Sequence, residues 1–480
     1  MSIAKRTGWY FTSSIVVPLL GILSLPIFTL KLGSEQYGVY AIASSLATVV
    51  SAASGSFSYL SLSAQLNSYN DENRRLYLGA VLLIGVLFSL IFSFCFLLVY
   101  FVLGNTFGLE LLSRTAVILT FVGAFFGSVW SICVEILTIQ GRAKDFSLSS
   151  IAQTLANVIT VCVMLFVFDS IKYALLWGFV CASLVGALGA YVSLHGNFTV
   201  RNLHHWVPIA WHGGGYSVFA SLMENGKNAV ERYYIGLVNG ANQLGLLAHG
   251  QYYKNATMIV VNAISRGLVP TIMLEAKEGY QNFSTSMKIW TSVQIMIVVI
   301  TLCFTLVGRE LIGILTHDKF VEAYPYAIAM MSTLLLQTMA KPQSTLLLVR
   351  GKGKFYSNLN TASAIMGLII LFITVPYFGV WGAIIATVFQ IITLRAALFW
   401  VAHRITPIPF ADYWVIVGLV LTGFCVVIDH FFNLNFLIRL LMLFFIYLFI
   451  YFKVKKEIIA LVNHTSFRNL LSLYSSYEEK

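Results

Sequence analysis

Apolar runs of membrane-spanning length recur along the whole chain, and stretches such as Leu76 to Leu103 and Ser147 to Phe168 hold no charged residue. About 20 apolar residues carry a helix across a hydrocarbon core. Within that core only helices or closed barrels satisfy every backbone group. Alternation with the period of a strand is absent from these runs, so they predict helices. About fourteen spans result, centred near Leu23, Val49, Ser89, Ala124, Ala156, Cys181, Asn228, Ile259, Val298, Leu336, Leu368, Thr387, Leu419 and Phe444. The segment around Leu419 is the shortest, and twelve spans plus an interfacial pair is the alternative. No connection exceeds roughly twenty residues, which leaves no room for a soluble catalytic domain. The pattern therefore describes an all-α polytopic membrane protein.

The two halves resemble each other at a nearly constant offset, a self-similarity that bears directly on architecture. The segment from Leu137 to Ser147 lines up with that from Leu347 to Ser357, matching Gly141 with Gly351, Arg142 with Lys352, Lys144 with Lys354 and Phe146 with Tyr356. Gly33 and Gly38 match Gly240 and Gly245, and Trp177 and Gly178 match Trp381 and Gly382. Glycine and basic residues fall in loops anyway, so any one pair is weak; three in order predict a repeat. An even number of spans separates the matched hairpins, so the copies have the same orientation and are related by an axis along the membrane normal. This predicts an N-terminal six-helix lobe over 1–196, a cytoplasmic inter-lobe loop over 197–213 and a second six-helix lobe over 214–404. An additional transmembrane helix pair over 405–456 and a cytoplasmic tail over 457–480 complete the chain.

Composition agrees: of 480 residues 58% are hydrophobic and only 10% charged, more apolar surface than one soluble core hides. Lys and Arg gather in alternate loops, including Arg74, Arg75, Arg142, Lys144, Arg201, Lys352, Lys354 and Arg404. Cytoplasmic loops carry such an excess, which places both termini in the cytoplasm of an inner-membrane, multi-pass protein. The first apolar segment follows Lys5 and Arg6 like a signal sequence, yet it runs past Pro26 without a small-residue cleavage site and is read as a retained helix. Cys95, Cys133, Cys162, Cys181, Cys303 and Cys425 form no metal-ligand spacing and read as small core residues.

Polar residues interrupt three of the spans. Glu224, Lys227, Asn228 and Glu231 fall at i, i+3, i+4 and i+7, with Arg232 beside them. Gln251, Asn255, Asn262 and Arg266 form another stripe, with Lys254 adjacent, and Gln337, Lys341 and Ser344 a third, where Pro342 predicts a kink. A charge at the bilayer centre costs about 2.5–3.5 kcal/mol on the lenient scale, so each needs a partner or a water-filled cavity. The cations Lys227, Arg232, Lys254, Arg266, Lys341 and Arg395 outnumber the carboxylates Glu135, Glu224 and Glu231. A cationic cavity attracts an anionic substrate. Lys254 and Lys341 are the first candidates to line it and Arg232 the next, while Arg266 and Arg395 are equally suited to snorkelling towards headgroups. Glu135, Glu224 and Glu231 are the candidates for proton coupling, because burial moves a carboxylate's ionisation towards neutral pH. The competing account is structural, with Lys227 paired to Glu224 or Glu231.

Enzyme motifs are weak here. His212 with Gly213, Gly214 and Gly215 has no Gly-x-Ser-x-Gly elbow to accompany it and reads as a flexible loop. Lys352, Gly353 and Lys354 lack P-loop spacing, and His204 with His205 lacks further metal ligands. No enzymatic activity, cofactor, metal or nucleic-acid partner is indicated.

In Leu25 and Pro26, in the Leu32 to Gly38 junction and in the Gln140, Gly141, Arg142 hairpin with its second-half copy, the chain resembles the polysaccharide-biosynthesis branch of the multidrug/oligosaccharidyl-lipid/polysaccharide exporter superfamily. Within it, the resemblance is to Wzx O-antigen flippases. That resemblance implies two six-helix lobes that move an undecaprenyl-pyrophosphate-linked oligosaccharide from the cytoplasmic to the periplasmic leaflet by alternating access. The partners implied are this lipid-linked oligosaccharide, the bilayer and other polysaccharide-assembly membrane proteins. The alternatives are a cation-coupled multidrug exporter of the same superfamily, expected to be more acidic inside, a glycan polymerase, expected to carry a large hydrophilic loop, and a membrane scaffold.

Overall fold

The computed structural model describes residues 3–65, 69–103, 112–278, 284–349, 352–405, 413–432 and 435–463. These form 14 helices with no strand among the described residues. The first lobe holds α1 (Ile3–Lys31), α2 (Ser34–Gln65), α3 (Asp71–Leu103), α4 (Arg114–Ile139), α5 (Ala143–Phe166) and α6 (Ala174–Leu194). The second opens with α7 (Leu203–Glu278), which Gly240 divides into α7a (203–239) and α7b (241–278). It continues through α8 (Ser284–Thr316), α9 (Tyr324–Val349), α10 (Gly353–Phe378) and α11 (Val380–Ile405). The pair α12 (Tyr413–Phe432) and α13 (Phe436–Asn463) follows. Nine helices among the described residues are long and apolar enough to cross a membrane. The two halves of α7 and α9, which carry the polar stripes, are not among the nine.

The repeat is visible in the backbone. Past the end of α4 the Arg142 amide donates to the Leu137 carbonyl at 2.9 Å, and Lys352 donates to Leu347 at 2.9 Å in the matching hairpin. Both are the six-to-one bond that closes a helix C-terminus. At the opposite end of the bundle, the matched glycines face each other. A Cβ on Gly38 would lie 1.9 Å from the carbonyl oxygen of Ala241, and a Cβ on Gly245 would lie 1.7 Å from that of Ser34. Exchanging each residue for its repeat mate turns one contact into the other, so a local twofold axis passes between α2 and α7b. Only glycine permits this approach. The side chains of Ser34 and Asn242 bond across the same crossing.

Further contacts close this end, hereafter the Gly33 end. Lys319, in the turn between α8 and α9, donates to the carbonyls of Thr29 at 2.7 Å and Leu30 at 2.8 Å, which belong to the last turn of α1 and lack helical partners. Beneath them His249 stacks on Phe320 with ring centroids 4.4 Å apart and meets the Tyr37 ring edge-on. Both lobes contribute to this seal.

The connection between lobes departs from expectation. Of the segment 197–213 read as a loop, the residues from Leu203 onward are helical, and His212 to Gly215 lie inside α7a. The flexible-loop reading of the three glycines is therefore corrected. Tertiary packing outweighs glycine's poor helix propensity, because Trp206, Ala210 and Val218 are buried with Phe57, Leu78 and Ile132 in the core of the first lobe. Ser61 on α2 donates to the Ala210 carbonyl at 2.8 Å.

The terminal helix pair is fastened to the second lobe. Trp414, Val415, Cys425 and Ile450 join a core with Val298, Leu302 and Leu334. Arg439 on α13 is buried, donates to Glu310 of α8 at 2.9 Å and is ion-paired with Asp429 of α12 at 2.8 Å. Partners on both neighbours suit a charge held inside a bundle.

Candidate functional site

Gly240 has φ 86 and ψ 159, a region essentially reserved for glycine. The break lets α7b run back beside α7a, so the polar residues of the two halves converge across the turn. At the site Arg232 of α7a bonds the Gln251 side chain of α7b at 2.9 Å. It also donates to the Ala41 carbonyl of α2 at 3.1 Å and to the Ser44 hydroxyl at 3.5 Å. One guanidinium thus ties both lobes through neutral oxygens. Its planar five-donor fork is suited to several such acceptors at once.

One turn away, Lys227 and Glu231 meet at 2.5 Å, with side chains only 2% and 5% exposed. Thr387 of α11 approaches both, at 3.4 Å from the ammonium and 3.5 Å from the carboxylate. The i,i+4 spacing brings the pair together on one helix face. Lys254 on α7b lies within electrostatic reach of this pair. The structure therefore gathers Lys227, Glu231, Arg232 and Lys254, four of the candidates read from the sequence. Among the described residues, Arg232 and Lys254 form no ion pair, so the cluster carries surplus positive charge.

The stripe of α7a separates into two faces. Lys227 and Glu231 turn inward, whereas Glu224 and Asn228 are exposed at mid-helix. Glu224 accepts a hydrogen bond of 2.7 Å from the buried Asn360 amide of α10. Arg395 is half-buried on α11 with its guanidinium 5.5 Å from the Phe399 ring, one turn along the same helix. Glu135 is half-buried near the end of α4 in the first lobe. Arg266 and Lys341 fall within α7 and α9, but their side chains lie outside the described residues.

Sequence reasoning passed over Thr387, Asn360 and the hydroxyls of α2. The last carried a weak signal: Ser44, Thr48 and Ser51 fall at i, i+4 and i+7, one stripe of a helix rich in serine throughout. Thr387 and Asn360 carried none, because a single polar residue in a span acquires meaning only when the neighbouring helix is known.

A family model described as polysaccharide biosynthesis protein matches residues 3–274. No curated protein matches the chain. Among solved structures it is similar to the lipid II flippase MurJ in an inward closed conformation, with TM-score 0.66 and 12% identity over 94% of this chain and 99% of that one. It is similar to an inward-facing multidrug resistance MATE family transporter of the MOP superfamily, with TM-score 0.65 and 14% identity over 83% and 97%. An outward-facing transporter of that description gives TM-score 0.58 at 15% identity over 83% and 95%.

Proposed function

As a chain that belongs to the polysaccharide biosynthesis protein family, this protein is a multi-pass membrane transporter, and we propose that it flips undecaprenyl-pyrophosphate-linked oligosaccharide units from the cytoplasmic to the periplasmic leaflet. The observation that carries this reading is surplus positive charge: Arg232, held between the lobes by Ala41, Ser44 and Gln251, with Lys254 within electrostatic reach of the neighbouring Lys227 and Glu231 pair. A pyrophosphate offers several anionic oxygens to a guanidinium fork and an ammonium. Lys341, Arg266 and Arg395 complete the proposed cationic set. Lys227 is assigned a structural role, because its charge is matched by Glu231.

In this reading the basic hairpins at Arg142 and Lys352 face the cytoplasm and the Gly33 end faces the periplasm. The sealed Gly33 end then corresponds to a state awaiting substrate from the cytoplasmic side. Export requires that end to part while the opposite end closes. An ion gradient drives the cycle, with Glu135 and Glu231 as the first candidate proton carriers and Glu224 behind them.

Deleting the gene in its host tests the reading. Loss of surface polymer with accumulation of completed lipid-linked units is expected, and normal polymer would point to an exporter of other compounds. In the complemented deletion, Arg232→Ala and Lys254→Ala should each lower surface polymer about tenfold, the effect of losing one charge-assisted contact, at unchanged protein level. Export that persists when the proton and sodium gradients are collapsed would remove ion coupling.

A further inference from the structure

Glu224 does not fit a site built only to hold an anion. It is a carboxylate exposed at mid-helix, and the nearest cation along its own helix, Lys227, is committed to Glu231. What holds it is an amide: Asn360, itself 8% exposed, donates to Oε2 at 2.7 Å. An amide fixes the carboxylate's direction without cancelling its charge. Exposed as the residue is, it leaves a second oxygen with acceptor capacity beyond the Asn360 bond.

Its surroundings are neutral and hydrogen-bonding. Glu224, Asn228 and Arg232 follow one another at intervals of four on α7a, the Cα atoms of the first and last being about 12 Å apart along the axis. α2 runs antiparallel beside them, pinned to α7a by Arg232 on the Ala41 carbonyl and by Ser61 on the Ala210 carbonyl. Between those pins the register sets Ser44 and Thr48 of the first lobe at the depths of Asn228 and Glu224. Ser44 is half-buried and Thr48 exposed. The wall therefore grades from guanidinium through amide and hydroxyls to a lone carboxylate.

We infer that Glu224, oriented by Asn360, is a specificity-determining acceptor for the sugar next to the pyrophosphate, favouring neutral or amino sugars over uronic acids. The inference rests on the flippase reading above. The spacing of about 12 Å leaves room for a sugar or two beyond the anionic group. Sugar hydroxyls and acetamido N–H groups are donors for which a carboxylate is a strong acceptor. A uronic acid at that depth would set two carboxylates together, a like-charge contact that discriminates by repulsion.

The test uses the full chain in lipid nanodiscs and three probes: undecaprenyl pyrophosphate, the same lipid carrying one N-acetylhexosamine, and the same lipid carrying one hexuronic acid. The wild type should bind the neutral-sugar probe about tenfold tighter than the sugar-free lipid, and the acidic probe weaker than the neutral one by a similar factor. In Glu224→Ala the neutral-to-sugar-free ratio should collapse towards one. Glu224→Gln should bring the acidic probe close to the neutral one, and Asn360→Ala should shift the ratios in the same direction. Lys254→Ala should weaken all three probes and keep their ratios. Ratios in Glu224→Ala and Glu224→Gln equal to the wild type would overturn the inference and leave the flippase reading intact. A wild type that binds none of the three would overturn the reading itself.

Discussion

Burying Lys227 and Glu231 against each other makes each charge depend on its partner. Lys227→Met alone strands a carboxylate and should cost about 3–5 kcal/mol, read as a lower melting temperature in detergent. Replacing both, as Lys227→Met with Glu231→Leu, should restore most of that stability, since a buried pair and well-packed apolar residues are close in free energy. A stable double variant that still fails to export would show that the pair takes part in transport. The sequence already contained this pairing as one of two partners for Lys227, and helical spacing alone could not choose between them. Glu224 and Glu231 lie at i−3 and i+4 from Lys227, and both separations bring side chains together. The choice was made by other helices: Asn360 of α10 holds Glu224, while Thr387 of α11 approaches the Lys227 pair. Rotation of a helix about its axis is a tertiary quantity, which is why the surplus of cations was legible and its division into buried and exposed faces was not.

Helices as units were the most legible level. Every span centre read from the apolar pattern falls within an observed helix, including Leu419 in α12. Their boundaries at α7 were not, because the pattern could not reveal that Trp206 and Ala210 have a neighbouring lobe to pack against. The glycine repeat was legible as a repeat but not as a contact. At the crossing of α2 with α7b the atoms that a new Cβ would meet are backbone carbonyls, which have no rotamer by which to retreat. Gly38→Ala or Gly245→Ala should therefore force the helices apart at a cost of about 1–3 kcal/mol, as overpacking does. A cysteine placed at Ser34 should react faster with a maleimide in either alanine background than alone. Equal labelling rates would mean that the crossing is already loose.

At the scale of the molecule, the Gly33 end is joined by three kinds of contact from both lobes: the glycine crossing, the Lys319 cap on α1 and the ring stack of His249. If transport requires this end to open, tethering it should stop export. The side-chain contact of Ser34 with Asn242 offers the place. Ser34→Cys with Asn242→Cys, in a background without the native cysteines, should lose export on oxidation and regain it on reduction. Full cross-linking with undiminished export would exclude opening at this end. The docking of α7a has a different outcome, one that belongs to synthesis. A chain grows from its N-terminus, and units of structure form as their residues emerge. Because the first lobe's core includes Trp206, Ala210 and Val218, six helices are not enough to finish it. The nascent lobe must wait, partly unfilled, until the next helix has been inserted and its first turns have docked. A separately expressed N-terminal half should accordingly accumulate in membranes when it ends beyond Val218 and be degraded when it ends at Gly196.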